Sequence, residues 1–439
     1  MLRQLCLVAI SAALLPVTLC ASSTQGALGP TFAQPKVYRI HSYSYPRAIA
    51  VGDLNGDGKR DIAVTSLSAV TVSLNNGGAR FTERAYSTGS EPVAVAIADV
   101  SGDHRPDLVT ADSGARGVSV LLNAGTGTFR RRVAYATARR PFSVGVADVN
   151  GDGALDLATA NDARPGVSIL LNKGAATFGP SANYEIGHPA RSIAIGDLNG
   201  DRRADLAAAD GRVISFLWNA GGGRFSRGGD YKARGWAPRE VALVDVTGDR
   251  KLDLLTSGSD SVLSVLVNQG DATFRARHAY SGAGGRIATG DLTGDGLVDV
   301  VMPCCPKGVG LSVFVNRRGG RFRSGLDYPT SGYGARAVAV GDLNGDRRPD
   351  IAAPIQLNQG WALSVLLNAP ACVVQDVIGE TLPAARSILE RARCRVGNVD
   401  VIRSGVVPAG RVARQSPGFG IVLRRGSSIR LTVSSGRAG

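Results

Sequence analysis

The chain has 439 residues, of which 57 are Gly and 20 are Pro; 44% are hydrophobic and 20% are charged. This apolar content excludes a disordered chain, and the absence of a G-X-Y register excludes collagen. The formal net charge is +14, although 21 of the 36 acidic residues lie in seven similar loops and leave a strongly basic remainder. A basic surface can contact nucleic acid, anionic polymers or a membrane surface, and a merely solvated surface explains the charge as well.

The N-terminus predicts a secretory signal peptide over residues 1–26. A short basic start is followed by an apolar run from Leu5 to Leu19 and then by small polar residues. This layout is typical of a signal rather than of a spanning helix, and no other stretch approaches the ~20 apolar residues of a membrane span. We therefore expect a secreted, extracellular protein without a transmembrane span. The alternative is a lipoprotein anchored at Cys20, against which the large Leu19 counts.

The central part of the chain repeats one unit. With steps of 46 to 51 residues, the motif Asp-x-[Asn/Ser/Thr]-Gly-Asp-x-x-x-Asp begins at Asp53, Asp99, Asp148, Asp197, Asp245, Asp291 and Asp342. Two apolar runs and an Asn follow each motif, and in six copies a Phe and then a Tyr come after that Asn. Four short apolar runs per unit, separated by Gly/Asn/Asp turns, indicate four strands. Seven units predict an all-β, seven-bladed β-propeller with four-stranded blades over residues 30–369.

The two ends of this region predict how the ring closes. The seventh unit stops at Asn368 without its last strand, and the missing Phe/Tyr pattern lies near the N-terminus as Phe32 and Tyr38. We therefore expect residues 32–38 to pair with the strand that ends at Asn368. Such pairing leaves no open sheet edge.

The acidic loops predict calcium (Ca2+) sites. Side chains at loop positions 1, 3, 5 and 9 and the carbonyl at position 7 can surround one hard cation with oxygens at ~2.3–2.6 Å. Position 12 never holds the Glu of an EF-hand, and strands rather than helices flank the loop. The alternative is an Asp-rich turn that hydrogen-bonds its own backbone. The predicted ligands are Asp53, Asn55, Asp57, Lys59, Asp61; Asp99, Ser101, Asp103, Arg105, Asp107; Asp148, Asn150, Asp152, Ala154, Asp156; Asp197, Asn199, Asp201, Arg203, Asp205; Asp245, Thr247, Asp249, Lys251, Asp253; Asp291, Thr293, Asp295, Leu297, Asp299; and Asp342, Asn344, Asp346, Arg348, Asp350.

The loops differ mainly at positions 3 and 6, which allows a ranking. Asn at position 3 offers a carbonyl oxygen, and Gly at position 6 avoids the cost of about 1 kcal/mol that a larger residue has at positive φ. We expect the ion to be structural rather than catalytic. From best to weakest, the predicted order is Asp53 and Asp148, then Asp291, Asp197 and Asp342, then Asp99 and Asp245.

These units resemble FG-GAP/VCBS repeats, which build the seven-bladed head of integrin alpha chains and occur in many exported bacterial proteins. The resemblance rests on the seven acidic loops and the Phe/Tyr pattern, and it covers roughly residues 30 to 370. It implies the propeller fold and calcium binding. It does not imply one function, because such propellers serve adhesion, carbohydrate binding and scaffolding.

Residues 371–435 predict a separate, small α+β domain. A cap residue at Thr381, an early Pro383 and helical apolar spacing predict a helix. Three short strands are expected around residues 399–401, 411–413 and 429–433.

This C-terminal segment resembles a PASTA domain, a family associated with peptidoglycan recognition. The resemblance rests on the runs at residues 377–382, 415–418 and 425–427. Residues 371–439 carry 11 arginines and four acidic residues. The segment is expected either to contact a cell-wall polymer or to act as a spacer.

Four cysteines follow the predicted signal peptide, and an even number in an exported chain favours disulfides. We predict a Cys372–Cys394 bond that joins the strand before the helix to the end of the helix. Cys304 and Cys305 either form a vicinal disulfide or remain two thiols.

The sequence contains no nucleophile elbow, phosphate loop or His/Cys metal pair, and we expect no enzymatic activity. We predict a monomeric, calcium-stabilised binding, adhesion or scaffold protein. Its expected partner is a cell-wall or extracellular polysaccharide or a protein ligand, with no specific nucleic acid. The alternatives are a polysaccharide-acting enzyme built on a propeller and a purely structural module.

Overall fold

The structure, a computed structural model, describes residues 29–39, 45–163, 166–232, 238–258, 261–282, 284–304, 310–369, 371–418, 422–424 and 426–436. The predicted signal peptide over residues 1–26, the alternative anchor Cys20, and Cys305 lie outside the described residues. Contacts between residues divide the chain into a larger unit, Gly29–Ala371, and a smaller unit that begins at Cys372.

Within its described residues, the larger unit contains seven four-stranded antiparallel sheets. In chain order its strands are β1 Lys36–Arg39; β2 Ile49–Gly52, β3 Asp61–Ser66, β4 Ala69–Asn75, β5 Phe81–Ser87; β6 Pro92–Ala98, β7 Asp107–Asp112, β8 Gly117–Leu121, β9 Asn123–Gly125, β10 Thr128–Phe129, β11 Val133–Ala136; β12 Pro141–Ala147, β13 Asp156–Asn161, β14 Val167–Leu170, β15 Ala182–Tyr184; β16 Ser192–Gly196, β17 Asp205–Ala209, β18 Ile214–Gly221, β19 Arg224–Tyr231; β20 Pro238–Val244, β21 Asp253–Gly258, β22 Val262–Asn268, β23 Phe274–Ser281; β24 Ala288–Gly290, β25 Asp299–Cys304, β26 Gly310–Phe314, β27 Leu326–Pro329; β28 Ala339–Gly341, β29 Asp350–Gln356 and β30 Trp361–Leu366. In each sheet the strand that follows the acidic loop is buried along almost its whole length, which explains its continuous apolar sequence.

The sheets follow one another around a central axis. The strand that precedes each acidic loop contacts the corresponding strand of a neighbouring sheet, as in the pairs β2 with β6, β12 with β16, and β28 with β2. These strands are therefore the innermost of each sheet, and the last sheet contacts the first. The arrangement is a β-propeller, and the predicted fold class is confirmed.

The last sheet takes its outer strand from the other end of the chain. Its order is β1-β30-β29-β28, with Lys36 opposite Val365 and Tyr38 opposite Leu363. An isolated bridge joins Phe32 to Asn368. The predicted closure by residues 32–38 is confirmed, and the edge of β30 is covered.

Within its described residues, the smaller unit combines one helix with two small sheets. Its elements are β31 Ala371–Val373, α1 Leu382–Arg391, β32 Arg395–Ile402, β33 Val412–Ser416, β34 Val422–Arg424 and β35 Ser428–Ser434. The strand orders are β32-β35-β33 and β31-β34. The helix begins as predicted, because the side chain of Thr381 caps it by accepting the N–H of Ala384. In the part of the chain that the structure describes, no helix is long and apolar enough to cross a bilayer.

The predicted disulfide lies in the core of this unit. Cys372 and Cys394 are bonded, with their Cα atoms 4.7 Å apart. Both cysteines are buried against Leu389 of the helix and Leu431 of β35. The bond therefore ties the strand before the helix to the segment after it, and this prediction is confirmed.

Candidate functional site

Each acidic loop ends at a buried Asp that fastens the loop to its own sheet. In the first loop, Oδ2 of Asp61 accepts the N–H of Leu54 at 2.8 Å, and Oδ1 accepts the N–H of Asn75 at 2.7 Å. Burial raises the pKa of the Asp61 carboxyl, and in the last loop it raises the pKa of Asp350 to about 7. The same two hydrogen bonds recur at Asp107, Asp156, Asp205, Asp253, Asp299 and Asp350.

The other acidic side chains hold the turn of the loop. Oδ1 of Asp53 accepts the N–H of Gly56, and its Oδ2 accepts the N–H of Gly58, both at 2.8 Å. Position 4 is always a Gly at positive φ, 76° at Gly56. Position 6 also has a positive φ in every loop, including those where it is not Gly, with 64° at His104 and 65° at Arg202. All seven loops therefore adopt one backbone shape, as the recurring motif predicts.

Three carboxylates meet in the loop that begins at Asp197. One oxygen each of Asp197, Asp201 and Asp205 lie within 4.8 Å of one another. Among the described residues, this is the one group of three acidic side chains whose oxygens come within that distance of one another. Oxygens from several carboxylates are the ligands that calcium takes in proteins, so the donor set fits that ion. The sequence ranks this loop in the middle of the seven.

Basic side chains at position 7 contact the carboxylate at position 5 in several loops. Nζ of Lys59 lies 2.7 Å from Oδ2 of Asp57, and the hydrogen bond from Lys59 lowers the pKa of that carboxyl. Arg105 contacts Asp103 in the same way at 2.9 Å. The loops at Asp148 and Asp291 have Ala and Leu at this position. The sequence ranking did not include this competition between a cationic side chain and a metal ion.

An Asn after each loop connects neighbouring sheets. The side-chain amide of Asn123 donates to the carbonyl oxygen of Leu54, in the loop of the preceding sheet, at 2.8 Å. The backbone N–H of Asn123 donates to Oδ1 of Asp107. The seven interblade pairs are Asn75 with Leu343, Asn123 with Leu54, Asn172 with Val100, Asn219 with Val149, Asn268 with Leu198, Asn316 with Val246, and Asn368 with Leu292. Each loop is therefore linked to the next sheet through one buried amide.

The repeated aromatic residues form a second interblade contact. Tyr86 and the Phe129 of the next unit meet edge to face with ring centroids 5.2 Å apart. At the closure of the ring, Tyr328 and Phe32 meet at 4.9 Å. The remaining pairs are Tyr38 with Phe81, Tyr135 with Phe178, Tyr184 with Phe225, Tyr231 with Phe274, and Tyr280 with Phe322. The structure therefore places these recurring aromatic rings between blades.

The sequence patterns did not predict a cavity of 940 Å³ at the starts of the innermost strands. The acidic loops follow the ends of the same strands, so the cavity and the loops lie at opposite ends of the central axis. The arginines that line it are Arg47, Arg191, Arg239, Arg286 and Arg336. An alignment of the repeats could have identified four of these arginines, because each of the four lies six residues before the first Asp of its loop.

Comparison with known proteins agrees with this architecture. The profile of the FG-GAP-like repeat matches residues 53–110, 102–159, 148–208, 197–256 and 245–302. The PASTA domain profile matches residues 373–435, which lie in the smaller unit.

Several solved structures are similar. A lectin from Agrocybe aegerita, described as recognising non-reducing terminal N-acetylglucosamine, is 25% identical with a TM-score of 0.47, over 64% of this chain and 79% of that chain. A chain of BBS1N in complex with ARL6DN is 13% identical with a TM-score of 0.53, over 74% of this chain and 93% of that chain. A second crystal of that complex gives 14% identity and a TM-score of 0.54, over 77% and 98%. The last two share the fold alone.

The PASTA match and the fold of the smaller unit show that the chain carries a PASTA domain. The repeat matches together run from residue 53 to residue 302, which is more than half of the 439 residues. The chain belongs to the FG-GAP-like repeat family.

Proposed function

We propose that the chain is an exported binding module whose propeller is stabilised by calcium and which contacts an extracellular or cell-wall polysaccharide or a protein ligand. The convergence of Asp197, Asp201 and Asp205 carries the calcium part of this proposal. Three carboxylates at this short separation repel one another, and a bound dication offsets that repulsion.

The position of this loop explains why an ion there stabilises more than one turn. Asp205 also accepts the N–H groups of Leu198 and Asn219. The side chain of Asn219 donates to the carbonyl oxygen of Val149 in the preceding sheet. An ion that holds Asp205 in place therefore supports the junction between two blades, in addition to its own loop.

Calcium-dependent unfolding tests this part of the proposal. Thermal unfolding of the full chain is measured in chelator and with increasing calcium, and the melting temperature should rise because the ion binds the folded state. Asp201→Asn should reduce the number of ions bound in calorimetry and the gain in melting temperature. Asp230→Asn, a carboxylate outside the loops, is the matched control. A melting temperature that chelator leaves unchanged would overturn the proposal.

Export is supported by the basic and apolar pattern over residues 1–26 and by the Cys372–Cys394 bond, since disulfides persist in oxidising compartments. Fractionation of cells that express the full chain, followed by N-terminal sequencing, should find an extracellular protein that has lost its first residues. A Cys20→Ser variant distinguishes a secreted protein from a lipoprotein anchored at Cys20, because only the lipoprotein would lose its membrane attachment. Recovery of the intact chain from the cytoplasm would contradict export.

The polysaccharide partner is supported by the PASTA match and by the 11 arginines of residues 371–439. Binding of the full chain to a panel of peptidoglycan fragments and extracellular glycans is the test. Retention that depends on the glycan supports a binding module, whereas no retention on any of them favours the structural alternative. Release of soluble sugar from the same panel would replace the binding module with an enzyme.

A further inference from the structure

Five arginines from five different blades meet in the 940 Å³ cavity at one end of the central axis, here called the channel-mouth cavity. Arg47, Arg191, Arg286 and Arg336 lie just before innermost strands, and Arg239 lies at the start of β20. Among the described residues of its lining, Glu240 is the one acidic side chain. The acidic loops that dominate the sequence are at the other end of the axis, so their carboxylates do not neutralise this cluster locally.

Protein contacts hold two of these guanidinium groups in place. Nη2 of Arg286 reaches a blade that does not adjoin its own and donates to the carbonyl oxygen of Val93 at 2.7 Å. Its Nη1 lies 3.7 Å from Oε1 of Glu240. Arg191 donates to both oxygens of Asp162 at 3.3 and 3.2 Å, and its guanidinium lies 5.4 Å from the ring centroid of Phe142. These two arginines form a fixed part of the cavity wall.

The other three carry charge that the described protein does not compensate. Within the described ranges, no carboxylate lies within ion-pair distance, 4.0 Å, of Arg47, Arg239 or Arg336. Cations grouped around one concave surface repel each other and raise the local concentration of anions. An anion bound there would make charge-assisted hydrogen bonds and remove this repulsion.

We propose that the channel-mouth cavity binds a multivalent oxyanion, that is, a compact ligand with two or more phosphate or sulfate groups. A guanidinium group offers paired N–H donors that match the oxygens of such groups, and several guanidinium groups favour a ligand with several charges. The cavity volume suits a small ligand or the end of a larger one. Val93, Phe142 and Pro303 add an apolar wall against which a sugar or other carbon scaffold can pack. The site is separate from the calcium loops and does not depend on the proposed function.

Calorimetry on the calcium-loaded full chain tests the proposal with two probes that distinguish phosphate from sulfate. The probes are glucose 1,6-bisphosphate and sucrose octasulfate, with neutral sucrose as the control. We expect binding to one or both anions and none to sucrose, with an affinity that falls as salt rises. No binding to either anion, or binding to a single-stranded oligonucleotide that the small anions do not compete for, would overturn the proposal.

Matched variants locate the site. Removing both Arg239 and Arg336 as Arg239→Gln/Arg336→Gln should weaken binding by about tenfold or more for each lost charge-assisted contact. Arg130→Gln/Arg224→Gln removes the same charge from exposed positions outside the cavity lining. It should leave affinity within about twofold, because distant surface charges are screened. An equal loss in both pairs would mean that diffuse surface charge binds the probe.

A third variant reverses the sign of the effect. Glu240→Gln removes the carboxylate from the described lining of the cavity and preserves side-chain size, so anion affinity should rise. Unchanged or weaker binding would contradict a site made by the charge of this cavity. Calcium-dependent melting measured on the same variants should match the parent, because the acidic loops lie at the other end of the axis. The two proposals can therefore fail independently.

Discussion

The side-chain amide of Asn75 donates to the carbonyl oxygen of Leu343, 2.7 Å away in space and 268 residues later in the chain. The amide also donates to the carbonyl oxygen of Arg60 at 3.0 Å. One buried side chain therefore joins the first blade to the last, beside the acidic loops of both.

Asn75→Ala should destabilise the propeller by about 1–3 kcal/mol, because it leaves the buried carbonyl of Leu343 without its donor. Chemical denaturation at fixed calcium measures the change. Asn76→Ala removes an exposed amide from the adjacent position and should change the free energy of unfolding by about 0.5 kcal/mol or less. Equal effects of the two variants would contradict a role for the interblade bond.

Deletion of residues 27–40 should disrupt the last blade. It removes β1, uncovers the backbone donors and acceptors of β30 and takes away Phe32, which packs against Tyr328. We expect loss of cooperative unfolding, or concentration-dependent aggregation seen by light scattering. A truncated chain with the melting curve of the parent would show that closure does not contribute to stability.

Lys59→Ala should strengthen calcium binding at the first loop. The ammonium group of Lys59 lies 2.7 Å from Asp57 and competes with a cation for that carboxylate. Because the pair is largely exposed, we expect an effect of up to about fivefold in affinity. Arg348→Ala is the control, since among the described residues the guanidinium group of Arg348 does not lie within 4.0 Å of the Asp346 carboxylate. A calcium titration of the melting temperature should separate the two variants.

Replacement of both Cys372 and Cys394 by Ala should loosen the PASTA domain. A bond that closes a loop of about 20 residues contributes about 3 kcal/mol in the chain-entropy account. Hydrogen exchange of the full chain, read by mass spectrometry, should show faster exchange in residues 372–436, and reductant should have the same effect on the parent. Unchanged exchange in that segment would mean that the domain core alone is sufficient.

Asp112→Asn should stabilise the protein, increasingly so as pH rises. Asp112 is buried and accepts hydrogen bonds from Ser119, Thr110 and Gly89. Burial raises the pKa of Asp112 above its ordinary value of 3.8, so its favourable contribution to stability is complete below pH 3.8 and is lost as pH rises through the folded-state pKa.

The side-chain amide of Asn stays neutral at every pH, so the Asp112→Asn variant does not lose stability in this way as pH rises. The next blade has Asn161 at the repeat position of Asp112, and its side chain forms hydrogen bonds with Thr159 and Ser168. Unfolding free energies of parent and variant, measured between about pH 4 and pH 8, should therefore diverge in favour of Asp112→Asn. Asn161→Asp should show the opposite trend, and parallel curves for both variants would disprove the assignment.

Much of the fold could be predicted because each unit repeats the same local signals. One motif fixes a Gly at positive φ, a buried Asp such as Asp61 and the start of the next strand, and the pattern around Phe32 and Tyr38 shows where the missing strand lies. A cap at Thr381 and helical spacing gave the helix of the smaller unit. Repetition makes these inferences strong because an error in one copy is corrected by the others.

The channel-mouth cavity could not be predicted in the same way. Its properties arise from side chains in five blades that only ring closure brings together, and Arg286 is one residue out of step with the other four arginines. The contact between Arg286 and the carbonyl of Val93 spans the axis and depends on blade geometry. The pairing of Lys59 with Asp57 depends on a rotamer, which a motif does not specify.

The blade shared between the two ends of the chain also sets an order of events during synthesis. β1 is made first, but its partner β30 emerges more than 300 residues later, an interval on the order of tens of seconds at typical elongation rates. Until then β1 lacks its partner strand, although each of the other six four-stranded sheets is built from strands that follow one another in the chain. A chain interrupted before Trp361 lacks β30, so it cannot complete the ring and β1 stays without the strand that it pairs with.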